Sequence, residues 1–73
     1  MIIPVTYNSG RRVLINTEAV QSVQDIDGCF SESTIETFFP NCRTAIRFIN
    51  SSAEMAVQES VSIIESMINE TWQ

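Results

Sequence analysis

The chain has no histidine and no lysine; its four basic residues are all arginine, set against nine acids for a formal net charge of −5 over 73 residues. Without His or Lys, nucleophilic triads lose their usual base and Schiff-base chemistry loses its amine, leaving carboxylates, Tyr7 and two thiols as reactive groups. No pair of those carboxylates stands in a general acid–base motif, so the sequence reads as non-enzymatic. A structural zinc site draws its tetrahedral set from Cys and His, and two Cys without His fall short of it, so neither a metal nor another cofactor is expected. A domain that grips phosphate backbones carries a surplus of positive charge, and the acidic balance here argues against nucleic acid as a partner. No apolar run approaches the roughly 20 residues a membrane span requires. The opening MIIPVTY also lacks the basic flank and long apolar core of a signal peptide. The expectation is a cytoplasmic protein with no membrane partner.

What is present is a globular balance, 44% hydrophobic and 18% charged, in a single domain spanning residues 1–73. A chain of this length buries only about 60% of the surface it exposes when unfolded, so its core is small. A disulfide or self-association would add stability.

The most periodic stretch is the last one. At about 100° per residue, Val57, Val61, Ile64, Ile68 and Trp72 share one stripe, while Gln58, Glu59, Ser62, Glu65, Ser66, Asn69 and Glu70 lie opposite. That spacing predicts an amphipathic helix over 58–72, which needs an apolar sheet to cover. Upstream, Met1–Tyr7 alternates as a strand with Ile3, Val5 and Tyr7 on one face; Pro4 cannot donate to a ladder, so this strand belongs at an edge or turns its missing N–H outward. Asn8-Ser9-Gly10 signals a turn, and Arg12–Asn16 reads as the second strand of a hairpin. Thr44–Asn50 and Glu54–Val57 read as further strands on either side of a polar Asn50-Ser51-Ser52 turn. Between them, 17–26 admits two readings. One is a helix capped by Thr17, with Val20, Val23 and Ile26 on one face and Gly28 closing it; the other is a tight turn at Thr17–Ala19 followed by a strand.

The opening Met1-Ile2 with Val5, Thr6 and Asn8, the strand Val13-Leu14-Ile15-Asn16, and Val20 and Val23 resemble the FlbD family, as does the closing Val57-Gln58-Glu59-Ser60-Val61 with Ile64 and Ile68. These are small bacterial proteins associated with flagellar genes and swarming motility, with relatives of the same general pattern among phage and mobile-element reading frames. The resemblance covers residue 1 to about 26 and 44 to about 68. It implies a strand for Val20–Ile26. Where the family has a few residues, this chain carries an insertion of about a dozen within Asp27–Arg43. The resemblance supports a fold more than a function, and a motility role ranks third among the readings below.

The insertion holds Phe30, Ile35, Phe38 and Phe39 between Cys29 and Cys42. Either its aromatics fold back as a supplementary hairpin that enlarges the core, or they anchor a protein partner. The cysteines are expected to be free thiols in a reducing compartment; the alternative is a disulfide across the base of the loop. Asp25, Asp27 and Glu36 match positions of a calcium-binding loop, but Phe30 occupies the position that needs Gly. They read as solvated acids. The Asn50 and Asn69 sequons read as chance matches.

Arg11 and Arg12 lie at the first hairpin turn, and Arg43 and Arg47 at the strand after the insertion. If those two places meet, the guanidinium groups suit a small anionic, nucleotide-like ligand; otherwise they are solvated arginines paired with acids. Ile63 and Met67 flank the helix stripe and read equally as a homo-oligomer seam or as surface that the sheet wraps. The expected fold is α+β, a five-stranded antiparallel meander, partly barrel-like, covered by one C-terminal helix. The leading functional expectation is a bacterial or phage-encoded interaction protein that binds a protein partner through 27–43. The alternative is a phage anti-defence inhibitor that sequesters an anionic ligand through its arginines.

Overall fold

The structure, a computed structural model, describes residues 1–70, with side chains to residue 69. β1 (Ile2–Thr6) and β2 (Arg12–Asn16) form the antiparallel hairpin that the alternation predicts. Its turn closes with the Gly10 N–H donating to the Tyr7 carbonyl at 2.9 Å, and Gly10 takes φ +92°, a region that side-chain-bearing residues avoid. Backbone bonds join Tyr7 to Arg11 and Met1 to Thr17 at the two ends of the ladder. The paired positions between them are therefore Ile3/Ile15 and Val5/Val13, and Pro4 faces Leu14 in a non-bonded pair. The missing N–H of Pro4 points away from β2, so it costs the hairpin nothing.

Residues Thr17–Ala19 make a single 3-10 turn, with the Asn16 side chain accepting from the Glu18 N–H at 3.0 Å, and β3 (Val20–Asp25) follows. The turn-then-strand reading of this segment is the one observed, ending one residue short of Ile26. A helix would have satisfied the spacing of Val20, Val23 and Ile26, but the strand gains a ladder with β4 (Thr44–Phe48) and lays Val20 and Val23 against the core. β5 (Glu54–Val57) pairs with the other side of β4.

Two expectations need correcting. The strands do not form one five-stranded meander; they divide into a two-stranded sheet, β1-β2, and a three-stranded sheet, β3-β4-β5, and these are not closed into a barrel. The 3-10 turn bends the backbone off the line of β2 before pairing with β3 can begin. β1 instead reaches the end of β5 through one backbone bond, from the Gln58 N–H to the Thr6 carbonyl at 2.8 Å. The second correction concerns the helix, α2, which runs Val61–Glu70 rather than starting at 58. Ser60 starts it, its hydroxyl accepting from the Ile63 N–H at 3.3 Å and its carbonyl from the Ile64 N–H at 3.1 Å. Val57 is buried as the last residue of β5, not as part of a helix stripe. Trp72 lies outside the described residues.

The main core is made by Ile3, Val5, Ile15, Ile46, Val57 and Ile64, so both sheets and α2 contribute to it. Glu59, which precedes α2, ties these layers together. Its carboxylate accepts from the Thr6 N–H and the Thr6 hydroxyl, both at 2.7 Å, and its carbonyl accepts from the fully buried Thr44 hydroxyl at 2.5 Å.

Cross-strand partners point to one face of a sheet, so Thr44 and Ile46 share a face with Val57 and Met55, and this face meets the main core. Ala45 and Ala56 are likewise opposite each other and point to the other face, yet both are buried. Something must cover that second face, and the insertion does.

Candidate interaction surface

The insertion is not an irregular loop or a hairpin, as its sequence suggested, but a short helix on a closed base. The base is held by strand-like bonds from the Ile26 N–H to the Arg43 carbonyl (3.1 Å) and from the Arg43 N–H to the Val57 carbonyl (2.9 Å). A 3-10 turn at Ile26–Gly28 follows β3, and α1 spans Glu32–Phe38. Ser31 caps α1, its hydroxyl accepting from the Thr34 N–H at 3.3 Å, and the Phe39 N–H closes it on the Ile35 carbonyl at 2.9 Å. The signal for this helix was present in the Ser31-Glu32-Ser33-Thr34 run ahead of Ile35, Phe38 and Phe39, which have helical spacing. It is short, and helices of this length are marginal without tertiary support.

That support is a second, smaller core. Ile26, Cys42 and Ala56 are buried in it, and Phe30, Ile35 and Phe39 pack around them, half-buried. The two alanines at the middle of the sheet leave room for this layer to approach. Of the four partner-binding candidates, then, Phe30, Ile35 and Phe39 are held in the fold, and Phe38 is 65% exposed. The rings form a chain from inside to outside. Phe30 and Phe39 have centroids 5.1 Å apart, Phe39 and Phe38 6.3 Å apart, each pair tilted by 52°. Beside them lies an open hollow lined by Phe30 and Ile35 with Asp27, Ser31, Glu32 and Glu36, an apolar floor with an acidic rim.

Both cysteines are free thiols. Cys29 accepts from the Gln24 amide at 2.8 Å, and Cys42 is buried. Burial pushes the Cys42 thiol above its ordinary pKa, and the nearby Glu59 carboxylate adds to the rise. Because the thiolate is the reactive form, iodoacetamide at pH 8 is expected to alkylate Cys29 at least about tenfold faster than Cys42, read by peptide mass spectrometry. Equal rates would mean that the second core opens on the timescale of labelling.

The arginines are only partly brought together. The hairpin turn and the base of the insertion do meet, with the Asn41 N–H donating to Asn8 Oδ1 at 2.8 Å. The polar hollow at that junction is lined by Pro40, Asn41, Cys42, Arg43 and Gln58, so Arg43 is the one arginine it contains. Arg11 and Arg12 are exposed on the hairpin. Arg47 is paired with Glu54, its cross-strand neighbour, and that hydrogen bond and charge hold its guanidinium pKa above the ordinary value. The helix flank splits as well: Met67 packs against the main core, whereas Ile63 is 52% exposed. Among the described residues no group of three or more metal-ligating side chains gathers, and no helix is long and apolar enough to cross a membrane.

Comparison with protein-family models, with curated proteins and with solved structures returns no match to this chain.

Proposed function

We propose that this protein acts by binding, and that α1 presents its contact to a protein partner. The observation that carries this is the exposed Phe38 ring, supported from behind by Phe39 and Phe30. An aromatic side chain held by its neighbours surrenders little conformational freedom on docking, and such residues dominate interface energetics. The acids Asp27, Glu32 and Glu36 around the adjoining hollow suit a partner with an apolar patch ringed by basic side chains. The source context, bacterial or phage, is part of the same reading, and an anti-defence, inhibitory role goes with the second reading below.

A photoreactive residue in place of Phe38, expressed in the native host, is expected to yield a discrete protein adduct that the same residue at exposed Ser52 does not. The folding side is checked with two variants. Phe38→Ala should leave the thermal midpoint within about 2 °C, and Phe39→Ala should cost about 2–3 kcal/mol because it empties the second core. If both variants destabilise equally, or position 38 yields no more adduct than position 52, the aromatic chain serves the fold alone.

A second reading is favoured by the polar hollow around Arg43, which suits an anionic, nucleotide-like ligand with Asn41 alongside. A thermal shift on adding nucleotides, lost in Arg43→Ala, would move the assignment there. An FlbD-like accessory role in motility stands third, and the neighbouring genes test it.

A further inference from the structure

The two edges of the β1-β2 sheet are unlike. The β1 edge is blocked: Pro4 has no N–H to offer there, and the Thr6 N–H and carbonyl are engaged by Glu59 and Gln58. The β2 edge is open. Ladder bonds to β1 fall at Val13 and Ile15, so the N–H and C=O groups of Arg12, Leu14 and Asn16 point away from β1. The Asn16 carbonyl accepts the first bond of the 3-10 turn at Thr17–Ala19, while the other five groups meet no strand partner among the described residues, and all three residues are exposed. The edge has no proline, no bulge and no inward-pointing charge, and its one charged residue, Arg12, stands at the first position of the strand.

The outer face beside this edge carries an apolar patch of Leu14, Pro4 and Ile2 between polar Asn16, Thr6 and Arg12. Leu14 is 68% exposed, Ile2 57%, and Pro4 stands directly opposite Leu14. The charge along the strand is polar in the other sense. Arg11 and Arg12 stand at its beginning and Glu18 just beyond its end.

We propose that β2 pairs antiparallel with β2 of a second copy of this chain, across a two-fold axis at Leu14. In that register Leu14 faces Leu14 of the second copy and each Arg12 faces the other Asn16. The five unpartnered outward backbone groups of each strand then find partners, the Asn16 carbonyl sharing its second lone pair. The Pro4–Leu14 pair is continued into an apolar stripe four strands wide, and each Arg11-Arg12 end meets the Glu18 end of the other strand. A parallel arrangement would set like charges together. The antiparallel one relieves them, and this selects a second copy in preference to an arbitrary strand. This surface is separate from α1 and does not depend on the function proposed for Phe38.

Sedimentation equilibrium of the full chain is expected to show the mass rising toward twice that of the monomer with concentration, together with concentration-dependent protection of the Leu14 amide from hydrogen exchange. Leu14→Pro should abolish the rise in mass while leaving the hairpin intact, since the N–H it removes is not used by β1. Arg12→Glu should weaken association about tenfold at low salt, and adding Glu18→Arg should restore it. The proposal is overturned by a chain that stays monomeric, by a dimer that survives Leu14→Pro, or by Leu14 protection independent of concentration, which would place a segment of the same chain on the edge. A dimer dissociated by Ile63→Glu but indifferent to the Arg12/Glu18 exchange would place the seam on α2 and overturn it equally.

Discussion

The Ile46→Ala chain is expected to lose about 3–4 kcal/mol of stability and to melt about 15–25 °C lower than the parent. Ile46 is fully buried at the middle of β4, flanked by Val23 on β3 and Met55 on β5. It belongs to the same cluster as Ile3, Val5 and Ile15 of the hairpin and Ile64 of α2. The cavity left by truncation would border every layer, and the layers are joined by backbone links too few to collapse independently around it. A small domain has on the order of 4–10 kcal/mol of stability in total. Much of the chain would then be unfolded at 37 °C, which circular dichroism melts would show. Leu14→Ala, the same kind of truncation at an exposed site, should move the midpoint by less than about 3 °C in dilute solution. A drop of less than about 5 °C for Ile46→Ala would mean that the two sheets are stable separately.

The second large effect is expected at Glu59. Its carboxylate accepts two hydrogen bonds from Thr6, while its backbone carbonyl accepts the buried Thr44 hydroxyl. It therefore joins the end of β1, the start of β4 and the approach to α2. Removing the carboxylate leaves the Thr6 N–H and hydroxyl, both half-buried, to find other partners. Charge-assisted bonds of this kind contribute about 1.5–3 kcal/mol in favourable cases, and partial exposure lowers the figure. Glu59→Ala is expected to cost about 2–3 kcal/mol. Glu59→Gln should cost less than half as much, because its carbonyl still accepts from the Thr6 N–H and the Thr6 hydroxyl can turn to accept from the amide. The same Ala variant removes one of the two causes that raise the Cys42 pKa, so Cys42 should alkylate faster even under conditions where the protein remains folded. Equal stabilities for Ala and Gln would show that the carboxylate does not act as a clamp.

The candidate site was legible in composition but not in shape. The sequence singles out Phe30, Ile35, Phe38 and Phe39 because so heavy an apolar load is unusual in an insertion, and it leaves open whether they serve the core or a partner. The structure divides them, three inward and one outward, and no periodicity could have made that division. It depends on Ala45 and Ala56 lying opposite each other on a sheet face that the insertion can reach. The arginines show the converse. Their convergence depended on the hairpin turn meeting the insertion base; these do touch through Asn8 and Asn41, but Arg47 is claimed by Glu54 on the next strand. Glu59 went unnoticed as a structural residue because on a helical wheel it is one more polar position. Only when the helix is seen to begin at Val61 does its carboxylate become free to reach back to β1.

What the sequence determined by itself was local. Alternation placed β1, β2, β4 and β5, Asn8-Ser9-Gly10 placed the hairpin turn, and helical spacing placed the body of α2 with Ile64 inward. These follow from side-chain periodicity and turn chemistry, which act between residues a few positions apart. Tertiary structure decided one segment where two local readings competed and another where neither reading of the insertion included a helix. Residues Val20–Asp25 became a strand because β4 supplied a ladder, and Glu32–Phe38 became a helix because a second sheet face needed covering. It also decided that five strands would make two sheets, since one 3-10 turn after Asn16 carries the backbone away from β2. In each case the local preferences differ by about 1 kcal/mol or less, while the hydrogen bonds and buried area supplied by distant residues are worth several times that.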